Sequence, residues 1–494
     1  MDRIHTVYAY KAFIDGKFVH NVSLLISNSR FVRVERSNHG RFGNYISVEP
    51  GKIVVPAFVD THTHAIGRGL YLIRPHLDEA RSLDEALEMV VEYSRDYSPS
   101  ELVVFEGVDE SRWPERRLPT RQELDRVVPR RPVILRRICG HIAVANSRAL
   151  QMIPEDVEGV DRRGGLMVEE VPIHLNEYFP PENIELDEAL RAVQREFHSL
   201  GIGTIHEFGN FRYFKAYERA LRRGQLKMRV YFSFYQRDAL ALMKLGMESG
   251  FGNDFLKIGG IKLFADGSVG ARTAAFFEPY TDEHSNFGKL LMDARQIAEV
   301  VRKAEEAGLQ VFVHAIGDRA IEAAIDGIAR GLLTKGNPLH HRIEHFEFPT
   351  KGQIERVAEL DIRISMQPNF AAQWGTPNGM YFQRLGHERW FRNNPIAKLI
   401  EHGVKLAFGS DAMPPSPIFG IKAAIDHPIQ PYRISLEDAI RLYTEAADHL
   451  SLIQDSGRIT PGRFADLAIL NEDPLEVVAL MINGEMVFKK EVAE

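Results

Sequence analysis

Eight short apolar runs of β type, interleaved with helical patterns, occupy the middle of this chain and restrict the folds open to it. They lie at 52–59, 201–208, 227–235, 257–265, 309–314, 341–345, 361–367 and 404–410. Eight strands alternating with helices predict an α/β fold, and eight is the number that closes a parallel (β/α)8 TIM-type barrel. An open doubly wound sheet would be expected to carry a glycine-rich phosphate loop after its first strand. Here the first run leads instead into Asp-Thr-His-Thr-His at 60–64. Helix signals fall between the runs. Ser82 and Glu85 form a Ser-x-x-Glu capping pattern, and the amphipathic segment from Asp293 stops at Gly308.

Both ends of the chain read as short strands with tight turns at Asp15-Gly16 and Asn483-Gly484. They predict a small β-sandwich domain from 1–52 and 455–494, with the barrel domain over 53–454. Roughly 130 residues separate the first two barrel strands, far beyond one crossover helix. Residues 69–200 are therefore expected to form a long insertion after strand one.

With 61 basic and 68 acidic residues the net charge is −7, which argues against a general nucleic-acid binder. The arginine-rich stretch 112–137 is read as a solvated surface paired with Glu115, Glu123 and Asp125, the alternative being an RNA or phosphate patch. A single cysteine, Cys139, excludes an internal disulfide and is expected to be a packing residue. The N-terminal residues show no apolar signal region, and no long apolar run is present. The expectation is a cytoplasmic protein with a small-molecule substrate, no membrane or nucleic-acid partner, and room for homo-oligomerisation.

His62 and His64 stand two apart at the end of a strand, where alternation turns both imidazoles to one face. His314, His345 and Asp411 close or follow three other runs. Parallel barrel strands bring all such ends to one rim, so these groups are expected to meet there. Neutral imidazole suits zinc, and also iron, nickel and cobalt. Lys262, inside an apolar strand, is expensive to bury unless paired or chemically changed. It either snorkels at the rim or reacts with CO2 to give a carboxylate able to bridge metals. His206 ends strand two and borders the site or is simply buried. His141 and Asn146 lie in the insertion, and Asp266 and Arg272 flank the loop DGSVGART. His206, His141, Asp266 and Arg272 are candidate substrate contacts; an Arg272 loop salt bridge is the alternative reading of that residue. Gln367 is expected only to line the barrel. No Walker A loop or G-x-S-x-G elbow occurs.

Taken together, VVPAFVDTHTH, VILRRICGHIAVANSRAL, GIKLFADGSVGARTAAFFEPY, VFVHAIGDRAI, HRIEH, FGSDAMP and GRITPGRFADLAILNEDPL resemble the amidohydrolase superfamily, in the branch (amidohydrolase family 3) that includes N-substituted formamide deformylase. The resemblance runs over nearly the whole chain. It implies that His62, His64, Lys262, His314, His345 and Asp411 hold one or two divalent ions, with N-carboxylysine at Lys262 as the bridge. Ala57 departs from the glycine usual in the family. The implied activity is hydrolysis of a carbon–nitrogen bond other than a peptide bond, in an amide, formamide or cyclic amide. Metal-activated hydroxide attacks, and Asp411 serves as general base and then acid. A deaminase, lactonase or phosphotriesterase would use the same site, and a non-catalytic barrel scaffold is the alternative of another class.

Overall fold

A computed structural model describes residues 5–36, 44–98, 100–452 and 455–491. The chain divides into two compact units, one of residues 1–65 with 194–494 and one of residues 66–193.

The first unit contains the barrel. Its strands are β1 (Phe58–Thr63), β2 (Ile202–Gly209), β3 (Arg229–Tyr235), β4 (Leu256–Phe264), β5 (Gln310–Ala315), β6 (Arg342–His345), β7 (Arg363–Met366) and β8 (Leu406–Phe408). They neighbour one another in chain order and every pair is parallel. Helices Ala294–Glu306, Asp318–Gly331 and Lys351–Glu359 follow β4, β5 and β6. The first has a complete Asp293/Gln296 capping box, and Gly308 beyond its end takes the left-handed φ of +66° that glycine adopts freely.

The first apolar run is not one strand. Lys52–Pro56 pairs antiparallel with Leu467–Glu472 in a separate sheet, and β1 begins only at Phe58. The changeover is at Ala57, whose N–H donates to Asp466 O at 3.0 Å. Both halves are buried, so hydrophobicity stays continuous across the break and periodicity does not register it. That separate sheet has eight strands drawn from both ends of the chain. Its Asp15-Gly16 and Asn483-Gly484 turns have positive φ at both positions, as two-residue hairpin loops require.

The terminal sheet is tied to the barrel by a buried ion pair. Arg229 at the start of β3 donates to both Asp466 oxygens, at 2.6 and 3.0 Å, and to Asp254 O at 2.8 Å.

The 66–193 unit has its own four-stranded sheet, in the order Leu166–Val168, Ile142–Ala145, Val133–Arg137, Val103–Val108. Its core includes Leu77, Val90, Phe105, Trp113 and Leu135. Ser82 caps the helix Leu83–Ser94, but Glu85 turns to the Arg81 N–H, so only half of the expected box forms. The arginine-rich stretch lies in this unit and is laced with carboxylates: Arg117 grips Glu123 through two bonds, Arg137 meets Glu110, and Arg112 meets Asp109. Asp125 is engaged by Ser147 instead. Cys139 is exposed, which corrects its reading as a packing residue. Among the described residues no helix is long and apolar enough to cross a membrane.

Asp466→Ala should strand the Arg229 guanidinium and destabilise the first unit by about 3–5 kcal/mol, measured as a fall in its urea-unfolding midpoint. An unchanged midpoint would show that the pair is not a tie.

Candidate metal centre

The site is assembled where the first and last strands meet. His62 O accepts from the N–H groups of Ser410 (3.2 Å) and Asp411 (2.7 Å). Beneath, the fully buried Asp60 accepts from the N–H groups of His62 (3.2 Å) and Ser410 (2.9 Å) and from the Ser410 hydroxyl. Burial pushes the Asp60 carboxyl up to about 7 against those bonds. Gly409 makes the approach feasible: a Cβ there would lie 2.5 Å from His62 N and 2.7 Å from its Cβ. The chain then turns sharply, with left-handed φ at Asp411 (+54°) and Ala412 (+57°). His345 (+73°) and Phe346 (+51°) repeat this at the end of β6. Non-glycine residues adopt such values at a cost of about 1–3 kcal/mol each, and they cluster where function demands a geometry.

His62, His345 and Asp411 each offer a ligand atom, and these lie within 4.8 Å of one another, so the three could hold a metal ion. His62 Nε2 is 3.7 Å and His64 Nε2 3.2 Å from Asp411 Oδ1. Both histidines of the His-x-His pair thus reach one carboxylate, although His64 lies just past the strand end. The His314 ring centroid is 4.4 Å from that of His345, but its Nε2 faces Gly267 O at 3.0 Å. Lys262 is 1% exposed, which removes the snorkelling alternative. Its Nζ sits 3.4 Å from His62 Nε2 and 4.3 Å from the centre of the Phe208 ring. Six side chains read from four strand ends and one strand interior therefore share one rim of the barrel.

Electrostatics match the donor set. Burial, aided by Lys262, holds His62 well below the ordinary imidazole range and His314 at about 4; burial and the neighbouring His314 and His62 do the same for His345. Each of these shifts favours the neutral imidazole, the form that binds metal. Burial also brings Lys262 down to about 8, against the pull of Glu344 and Asp411. Burial opposes charge on Asp411, yet His62, His64 and Lys262 outweigh it and keep the carboxyl below its usual value.

The remaining candidates take different positions. His206 points into the barrel, where its Nδ1 accepts from Arg342 at 3.0 Å. Asp266 is buried and accepts from the N–H groups of Ala275, Ile316 and Gly317, with His314 Nε2 at 3.5 Å. Arg272 forms the loop salt bridge to Asp282 at 2.7 Å. His141 belongs to the 66–193 unit and pairs with Glu169 at 3.1 Å. Asn146, in the same unit, caps a short helix. Gln367 does more than line the barrel: its Oε1 meets His345 Nδ1 at 2.7 Å. Sequence reasoning passed over Glu344, whose Oε2 lies 2.5 Å from His62 Nδ1, and Arg342 behind it. The signal was present, since charges within an apolar strand are as costly in HRIEH as in the Lys262 strand.

A profile described as the amidohydrolase family matches residues 50–487. The chain belongs to the amidohydrolase family. Bacillus subtilis YtcJ, by name a candidate amidohydrolase, is 30% identical over 485 residues, covering 89% of this chain and 90% of YtcJ. The N-substituted formamide deformylase of Arthrobacter pascens is 24% identical over 472 residues, covering 86% of this chain and 84% of that enzyme. A crystal structure of a metal-dependent hydrolase from Pyrococcus furiosus superposes with a TM-score of 0.84 at 30% identity, covering 96% of this chain and 100% of that one. In this amidohydrolase, then, His62, His345 and Asp411 form a cluster whose geometry could hold a metal ion.

Gly409→Ala should force the end of β8 off β1, costing about 1–3 kcal/mol by overpacking and lowering metal content after dialysis. Gly352 on a surface helix has open space around it, and Ala there should leave metal content unchanged. Equal metal content in both variants would contradict the closure argument.

Proposed function

We propose that this protein is a metal-dependent hydrolase that cleaves a carbon–nitrogen bond in a small amide, formamide or cyclic amide. The observation that carries this reading is the convergence of His62, His345 and Asp411 on one point at the barrel rim, with Lys262 beside them. The kinship with an N-substituted formamide deformylase supports the choice of bond. A divalent ion, for which zinc is the best match to neutral imidazole and carboxylate, supplies Lewis acidity and lowers the pKa of water when bound.

The chain's own groups carry the proton. Asp411 accepts it from the attacking water and returns it to the departing nitrogen, a base that becomes an acid within one turnover. His64, 3.2 Å from Asp411 Oδ1, steadies that carboxylate. Lys262 is the residue at which CO2 adds: the amine nitrogen bonds to carbon, loses a proton and leaves a carbamate. Beside His62, and on the strand next to that of His314, a carboxylated Lys262 would be one of the groups that hold the metal.

Purified zinc-loaded protein offered a panel of N-formyl and N-acyl amines, lactones and aryl phosphates should release amine from the first group. Turnover confined to lactones or phosphates would overturn the assignment of the bond. Asp411→Asn should keep its histidine-held zinc yet lose about 10²–10⁴-fold in kcat; near wild-type kcat would remove Asp411 from the proton transfer. Intact-mass measurement under non-denaturing conditions should show the mass of one added CO2, absent in Lys262→Met. Identical masses, corrected for the substitution, would leave Lys262 an unmodified amine.

A further inference from the structure

The barrel interior below the rim holds an ion pair that the proposed reaction does not use. Arg342 and Glu344 are both 0% exposed, two residues apart on β6 and immediately before the ligand His345. Arg342 Nε donates to Glu344 Oε1 at 2.5 Å, Nη1 to His206 Nδ1 at 3.0 Å, and Nη2 to Thr61 O at 2.6 Å. Its guanidinium lies 4.5 Å from the centre of the Phe312 ring. Each of its three nitrogens donates a bond, and these partners hold the cation in one orientation. Well-packed apolar residues of similar volume are often no less stable than such a buried pair, so stability alone does not account for it.

The second oxygen of Glu344 supplies the reason. Glu344 Oε2 takes the Nδ1–H of His62 at 2.5 Å, which leaves Nε2 as the lone-pair nitrogen facing Asp411 and Lys262. His345 is oriented in the same sense by a neutral amide, Gln367 Oε1, at 2.7 Å. The two histidine ligands therefore differ in their backing: a carboxylate behind His62, an amide behind His345. A carboxylate acceptor fixes the tautomer and ring plane and raises the basicity of the other nitrogen more than an amide does.

We propose that Arg342 and Glu344 are positioning residues for the metal. Arg342 aims Glu344, and Glu344 makes His62 the stronger of the two histidine donors. The Thr61 carbonyl bond adds a second hold, because Arg342 grips β1 one residue before His62. His206, whose own ring reaches no ligand by these bonds, acts as the far stop for the guanidinium. The inference rests on the metal reading above and concerns affinity and ligand geometry, which are measured without turnover.

The test is zinc titration of metal-free protein against a chromophoric chelator, with cobalt(II) spectra at saturation. Glu344→Gln keeps the volume but removes the charge and leaves a single acceptor oxygen where Glu344 offers one each to His62 and Arg342. It should raise the zinc Kd about 10–100-fold and shift the cobalt ligand-field bands. Arg342→Met should do the same, with Arg342→Lys closer to wild type. Matched thermal unfolding of the metal-free proteins separates this from lost folding; should Arg342→Met not fold, Glu344→Gln carries the test alone. Wild-type Kd and an unchanged cobalt spectrum in Glu344→Gln would overturn the inference. A wild-type protein that takes up no zinc or cobalt would overturn the metal reading itself, a distinguishable result.

Discussion

The His62 carbonyl, accepting the amides of Ser410 and Asp411, is the contact on which the site depends. A barrel of eight parallel strands must return its last strand to its first, and here that return runs through the segments that carry the candidate ligands His62 and Asp411. Asp60 underpins it by taking the His62 and Ser410 amides on one carboxylate. Gly409 permits it by having no Cβ to meet His62. The same bonds that close the rim bring Asp411 to 3.7 Å from His62 and 3.2 Å from His64. Closure of the rim and the grouping of these side chains are one arrangement.

Around this seam the barrel buries charge at a density that a purely structural core avoids. Asp60, Lys262, Asp266, Arg342 and Glu344 are all essentially inaccessible. Each is matched to a specific partner rather than left in apolar surroundings. Asp266 ties the segment after β4 to the end of β5 by accepting the amides of Ala275, Ile316 and Gly317, and it sits against His314. Such groups contribute little net stability, since desolvation offsets most of their attraction. What they contribute is orientation: a ring turned so that one nitrogen faces the centre, or a loop held at a fixed height above the rim. Left-handed backbone at His345 and Asp411 belongs to the same pattern, strain located where the ligands must point.

Local chemistry made much of this legible before any fold was known. Asp15-Gly16 and Asn483-Gly484 announced their hairpins because few other pairs tolerate two positive φ values. The Asp293 helix declared its start and its Gly308 stop through groups within a few residues. The strand-end histidines were visible because polar groups closing apolar runs need a reason. Other features were hidden for equally physical causes. The break at Ala57 is silent, since the chain passes from one buried sheet into another. Gln367 looked like lining because an amide at a strand end signals nothing until its partner, His345, is seen. Arg342 and Glu344 were overshadowed by the histidine beside them.

The sequence by itself determined the alternation of strands and helices, the positions of the candidate ligands and the family to which the chain belongs. The first two follow from periodicity and side-chain chemistry, which are local properties of the chain, and the third from the likeness of its motifs to the family. Only the tertiary structure decided that His62, His345 and Asp411 come within reach of one ion while His314 turns its Nε2 to Gly267. It alone decided that Glu344 stands behind His62, and that Lys262 is buried against Phe208 instead of reaching water. Ring orientation and second partners depend on residues that are tens to hundreds of positions apart along the chain and adjacent only once the barrel has closed.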